Sequence, residues 1–199
     1  MQLAQVLEGV SNSSVAWGDY DGDGDLDILL TGRNSSSVAI SKIYRNDAGT
    51  FTDIVAGLAG VSSSSSAWGD YDGDGDLDIL LMGQGSSGRV GSIYRNDGGT
   101  FTDIGADLEG VIGSSVWGDY DGDGDLDILL IGQNSVNQRI SRIYRNDLGV
   151  FTNIVAALEA VNNSSVAWGD YDGDGDLDIL LTGTSSINPS ISTIYRNDE

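Results

Sequence analysis

Nine residues, Asp19-Tyr20-Asp21-Gly22-Asp23-Gly24-Asp25-Leu26-Asp27, carry five carboxylates, and the same nine recur at 70–78, 119–127 and 170–178. Five negative charges in so short a run repel one another, so the run is ordered only where something neutralises it. Its two glycines let the backbone turn tightly enough for the carboxylates to converge. Hard oxygen donors at alternate positions suit Ca²⁺, which takes about six to eight oxygens. Mg²⁺ demands a stricter octahedron and fits less well.

The expected side-chain ligands stand at loop positions one, three, five and nine. They are Asp19, Asp21, Asp23 and Asp27 in the first copy and Asp70, Asp72, Asp74 and Asp78 in the second. The later copies offer Asp119, Asp121, Asp123 and Asp127, then Asp170, Asp172, Asp174 and Asp178. Position seven (Asp25, Asp76, Asp125 or Asp176) is expected to give its backbone carbonyl. The four copies predict about four Ca²⁺ per chain. An EF-hand is excluded, because Leu30 stands where that loop needs a bidentate Glu. Paired carboxylates can also do acid–base work. Four near-identical loops imply four equivalent tasks, however, so no enzyme is expected.

The same loops explain the charge. Of 31 acidic residues 20 lie in them, leaving 11 acids against 9 bases elsewhere, so the net charge of −22 is local. Four Ca²⁺ would reduce it to about −14, which still disfavours nucleic acid or an anionic membrane as partner. The absence of Cys removes disulfides and zinc–thiolate sites, and the absence of His removes the commonest general base. Apolar runs such as Ile28–Leu30 are far too short to span a bilayer, so no membrane insertion is expected. Met1-Gln2-Leu3 begins no signal peptide.

The loops sit in a longer period. Tryptophans at 17, 68, 117 and 168 are spaced by 51, 49 and 51 residues, Ile-Tyr-Arg-Asn-Asp starts at 43, 93, 143 and 194, and Phe-Thr-Asp/Asn-Ile starts at 51, 101 and 151. Each unit reads as four strands: Ser13–Tyr20, Leu26–Thr31, Val38–Arg45 and Thr50–Val55, with a turn at Asn46–Gly49. No helical stripe is visible. Four antiparallel strands in about 50 residues, repeated, predict an all-β propeller of four blades in one domain over 1–199. The repeats run approximately over 11–60, 61–110, 111–160 and 161–199.

The last repeat has no Phe-Thr-Asn-Ile strand, and residues 1–10 align with the tail of one. Residues 2–8 are therefore expected to pair with the third strand of the last blade and close the ring. Closure within one chain gives four blades, closure between two chains gives an eight-bladed homodimer, and the remaining alternative is an open piece of a longer array.

Trp-Gly-Asp-Tyr-Asp-Gly-Asp-Gly-Asp-Leu-Asp-Ile-Leu-Leu followed by Ile-Tyr-Arg-Asn-Asp resembles the FG-GAP/VCBS repeat of integrin α chains and many bacterial surface and secreted proteins. The resemblance spans all four repeats. It implies a propeller whose loop between the first two strands of each blade holds Ca²⁺, here through the five Asp of each loop. Trp17-Gly18 stands where integrins have Phe-Gly, no Gly-Ala-Pro follows, and integrin propellers have seven blades. Integrin-type ligand binding is therefore not carried over.

The copies differ in two places, the loops after strand two (33–37, 84–88, 133–137, 184–188) and the linkers into each new repeat (62–66, 111–115, 161–165). Strand alternation puts both on the face opposite the calcium loops, where a partner is expected to bind. Tyr-Arg at 44–45, 94–95, 144–145 and 195–196 is expected to make polar contacts between blades. The resulting expectation is a calcium-binding scaffold for protein interaction or adhesion, secreted or at the cell surface. The alternative is a lectin-like propeller, marked by aromatic platforms such as Tyr20, Tyr44 or Trp17 between the blades.

Overall fold

Each Asp loop ends in a strand because Ile28-Leu29-Leu30 and its copies are short, branched and apolar on both faces. The computed structural model describes residues 5–198. The first blade is β1 (Val10–Gly18), β2 (Asp27–Asn34), β3 (Ala39–Asp47) and β4 (Thr50–Asp53). The second is β5 (Ser62–Gly69), β6 (Asp78–Gln84), β7 (Arg89–Asp97) and β8 (Thr100–Asp103). The third is β9 (Val111–Gly118), β10 (Asp127–Asn134), β11 (Arg139–Asp147) and β12 (Val150–Asn153). The fourth has three strands, β13 (Val161–Gly169), β14 (Asp178–Ser185) and β15 (Ile191–Tyr195). Every sheet is an antiparallel meander in chain order, and the described residues contain no helix. Strand one starts earlier than Ser13, and strand four ends earlier than Val55.

The sheets stand side by side in a propeller-like arrangement. β1 packs on β5, β5 on β9 and β9 on β13, whereas β13 and β1 do not pack on each other in this way. The apolar core lies between blades. Leu29, Ile43 and Tyr20 of blade one meet Ile79, Leu81 and Tyr94 of blade two. Leu80, Met82 and Ile93 meet Ile128, Leu130 and Tyr144 one step on, and Leu129, Ile131 and Ile143 meet Ile179 and Leu181 at the last step.

The 49-residue spacing is two residues shorter than the others, one lost in the β6–β7 connection and one in strand one of the third blade. β1, β5 and β13 each carry a bulge, with Asn12, Ser63 and Asn163 at positive φ and a register shift beside them. β9 has no bulge and runs in continuous register with β10. Losing that residue brings the strands so close that a Cβ on Gly113 would collide with the Ile131 carbonyl.

The expected closing strand at 2–8 falls partly on residues 2–4, which lie outside the described residues. Residues 5–8 bond to blade one and make no ladder with β15. Gln5 caps the outer edge by accepting from Phe51 N and donating to Phe51 O. Glu8 pairs with Lys42 at 2.8 Å, accepts from Asn34 Nδ2, and its backbone N–H donates to Tyr44 Oη. Ala59, Glu109 and Glu159 donate from the same linker position to Tyr94, Tyr144 and Tyr195. Residues 5–10 thus occupy the place of the linker that arrives at each later blade. They do not supply a blade's fourth strand, because β4, β8 and β12 end before that linker begins.

Candidate metal centre

The Asp loop joins β1 to β2 and repeats at β5–β6, β9–β10 and β13–β14. Gly22 and Gly24 adopt φ of 69° and 94°, conformations that let the loop fold back over its own first residue. Asp19 closes that fold by accepting from the N–H groups of Asp23 and Gly24, at 3.1 and 2.9 Å. Asp70 does the same for Asp74 and Gly75.

Position nine anchors the loop from below. Asp27 is fully buried, with one oxygen accepting from Tyr20 N and the other from Asn46 N on β3, at 3.1 and 2.8 Å. Asp78, Asp127 and Asp178 repeat both bonds. Burial raises the Asp27 carboxyl above the ordinary carboxylate value. It raises Asp78 to about 7 and Asp127 to about 6, against the pull of these backbone donors. Position three is raised as well. Asp21, Asp72 and Asp121 are partly desolvated and face the carboxylates at positions five and one. Negative charge is therefore held at a place that resists it, and a nearby cation relieves both effects.

In every loop one oxygen each from positions one, three and nine converges to within 4.8 Å of the others: Asp19, Asp21 and Asp27; Asp70, Asp72 and Asp78; Asp119, Asp121 and Asp127; Asp170, Asp172 and Asp178. Position five is drawn into the loop, with Asp23 Oδ1 accepting from Asp25 N at 2.8 Å. Position seven turns outward. Asp25, Asp76 and Asp125 accept from Ala48, Gly98 and Leu148 N, tying the Asp loop to the β3–β4, β7–β8 and β11–β12 turns. These side chains are committed to the neighbouring turn.

The donor set suits a hard divalent cation. It is all carboxylate oxygen, converges on one point, and retains lone pairs beyond the hydrogen bonds made. Asp119 Oδ1 is buried with no hydrogen-bond partner, an acceptor aimed into the third loop with nothing to accept from. The residues present therefore fit Ca²⁺, held by positions one, three and nine.

Two features of the Tyr-Arg-Asn-Asp stretch were not legible beforehand. The arginines do not bridge blades. Arg45, Arg95 and Arg145 pair with Asp47, Asp97 and Asp147 two residues along, and Arg196 turns onto Asp172, Asp174 and Asp198. Tyr and Asn make the cross-blade bonds instead. Asn96, Asn146 and Asn197 donate from Nδ2 to the carbonyls of Tyr20, Tyr71 and Tyr120 in the preceding blade. The signal was present, since Asn keeps a spacing of 18 or 19 residues from the anchoring Asp. Nothing in the spacing says which blade its amide reaches.

A family model described as FG-GAP-like repeat matches residues 19–81, 70–130 and 119–181. Each match runs from one Asp loop through the next, so the three overlap at the loops themselves. No curated protein matches the chain.

Proposed function

We propose, from the premise that the chain belongs to the FG-GAP-like repeat family, that it is a Ca²⁺-braced propeller scaffold that binds a partner and does not catalyse. The observation that carries this reading is the same three-carboxylate convergence in all four loops. One ion in each loop would draw positions one, three and nine together and neutralise the charge that burial disfavours. The anchoring Asp also holds β3 through Asn46 and its copies, so the ion would brace the first three strands of a blade. Metal affinity then becomes folding free energy. The millimolar-range affinities of extracellular calcium modules suit a secreted or surface setting.

The partner is placed on the face opposite the ions. There Gln133, Asn137 and Ser186, from the variable loops of blades three and four, and Arg139 at the start of β11 line an open cleft of about 440 Å³. Arg139 also bonds Asn162 of the next linker, at 3.1 Å. A protein-interaction surface is preferred to a sugar site because the aromatic rings between blades are already used. Tyr20 stacks on Trp68 and Tyr71 on Trp117, with ring planes within 9°.

Isothermal titration with Ca²⁺, beside melting curves in Ca²⁺ and in chelator, tests the metal reading. About four ions per chain and a melting temperature lowered by chelator are expected. No binding heat together with an unchanged melting curve overturns it.

A further inference from the structure

The two ends of the blade array expose the two halves of one contact. Inside the chain, Trp68, Trp117 and Trp168 of strand one each dock on the blade before their own. A Cβ on Gly18 would lie 2.6 Å from Trp68 Cδ1 and one on Gly69 2.6 Å from Trp117 Cδ1, while Gly118 meets Trp168 closer still. The ring then lies against the Tyr two residues on, Tyr20, Tyr71 or Tyr120. Gly169 stands in the same sequence, and a Cβ there would meet nothing within 4 Å.

Its surroundings are bare as well. Tyr171 is 58% exposed, where Tyr20 and Tyr71 are each 4% exposed. Leu180 and Ile194 are 48% and 56% exposed, where their counterparts in the first three blades are at most 2% exposed. At the other end Trp17 is 57% and Val15 62% exposed, against 7% for Val166 at Val15's position in blade four. The polar part of the contact is also divided. Asn46 Nδ2 donates to Leu26 O within its own blade, while Asn96, Asn146 and Asn197 also reach, or reach instead, the preceding blade's Tyr carbonyl. Among the described residues no Asn amide reaches Tyr171 O.

We propose that these ends dock on each other between two copies of the chain, Trp17 of each seating on Gly169 and Tyr171 of the other, to form one eight-bladed ring. The contact continues an interface the chain already builds three times, so its occupant is specified: another strand-one Trp with a Tyr-Arg-Asn turn beside it. A heterologous contact of this kind closes into a ring or runs on as a filament. Propellers use about four to eight blades, so a ring of four-blade arcs contains one arc or two. One arc would set β13 against β1, which do not pack together here. Two arcs remain. Trp68, Trp117 and Trp168 bury their indole N–H groups without an acceptor. The drive is therefore removal of apolar and aromatic surface from water rather than hydrogen bonding to the indole. The contact uses no carboxylate of the Asp loops, so it stands apart from the metal reading.

Light scattering coupled to size exclusion tests it on the full 199-residue chain in Ca²⁺, over a range of concentrations. The expected mass is twice the 20.8 kDa of one chain. Gly169→Val, which fills the socket, and Trp17→Ser, which removes the plug at the other end, should each return it to the single-chain mass. Far-UV circular dichroism and calcium stoichiometry should stay unchanged in both. A single-chain mass at every concentration overturns the proposal and leaves the two faces to further blades or another protein. A mass that climbs without limit overturns two-copy closure. A doubled mass that survives both substitutions overturns the assignment of these faces.

Discussion

Adding one methyl group at the same place in three blades should have unequal consequences. Gly69, Gly118 and Gly169 each follow Trp and precede Asp-Tyr-Asp-Gly, and none adopts a positive φ, so Ala is acceptable to the backbone at all three. At Gly69 the new Cβ would sit 2.6 Å from Trp117 Cδ1, 2.8 Å from its Nε1 and 3.1 Å from Leu126 Cδ1. Carbon atoms in contact prefer about 3.5–4.0 Å. The indole must therefore retreat by close to an ångström, against the rings of Tyr71 and Phe151 that lie beside it with centroids 6.3 and 6.1 Å away. Overpacking of this kind costs about 1–3 kcal/mol. For a chain of this size, about 2–4 °C per kcal/mol gives a fall of roughly 2–12 °C for Gly69→Ala or Gly118→Ala. Gly169→Ala meets no atom and reduces the freedom of the unfolded chain, so it should be neutral or gain up to about 1 kcal/mol. Calorimetry in Ca²⁺ on a Trp17→Ser background, in which no Trp from another copy can fill the third socket, isolates the comparison. Equal losses at all three positions would refute the reasoning, because the sequence around them is the same and only the neighbouring blade differs.

Three further outcomes follow from the geometry. Asn96→Ala should cost about 1–3 kcal/mol, since it leaves the Tyr20 and Leu77 carbonyls and Gly99 N without this partner. Asn46→Ala has no cross-blade bond to lose, and urea unfolding should show the smaller effect there. Asp70→Asn should lower the calcium stoichiometry from about four to about three per chain. At a calcium concentration a hundred times the dissociation constant it forfeits about 2.7 kcal/mol of linked stability, read as a smaller melting difference between Ca²⁺ and chelator. Lys42 clamps Glu8 and Asp53, each at 2.8 Å. Hydrogen bonds from Lys42 and Asn34 lower the Glu8 carboxyl. At Asp53 burial is the largest single influence and acts the other way, but the Lys42 hydrogen bond, the Val55 N–H and the Lys42 charge together outweigh it and the carboxyl is lowered too. Both acids titrate lower folded than unfolded, so the clamp is fully present above their ordinary values of 4.5 and 3.8 and is lost as pH falls through the folded ones. Hydrogen exchange should show residues 5–10 losing protection below about pH 4 before the blades do. Lys42→Met should remove that step.

The sequence by itself determined the repeat, the strand count within each unit and the acidic loop between strands one and two. All three are local. Two glycines and five aspartates in nine residues admit few conformations, and short branched runs beside turn residues form strands wherever they sit. Which carboxylates meet was not local. Asp27 and Asp25 are two residues apart with the same charge, yet one is buried under Tyr20 and Asn46 and the other turns out to Ala48 N. That choice depends on where β3 and its turn lie. The arginines, which read as cross-blade groups, found acids two residues along their own strand, because an exposed guanidinium takes the nearest carboxylate. Only the tertiary structure separated Trp17 from Trp68 and Gly169 from Gly118. Each pair is written in the same letters, and the difference is whether a blade stands beside it.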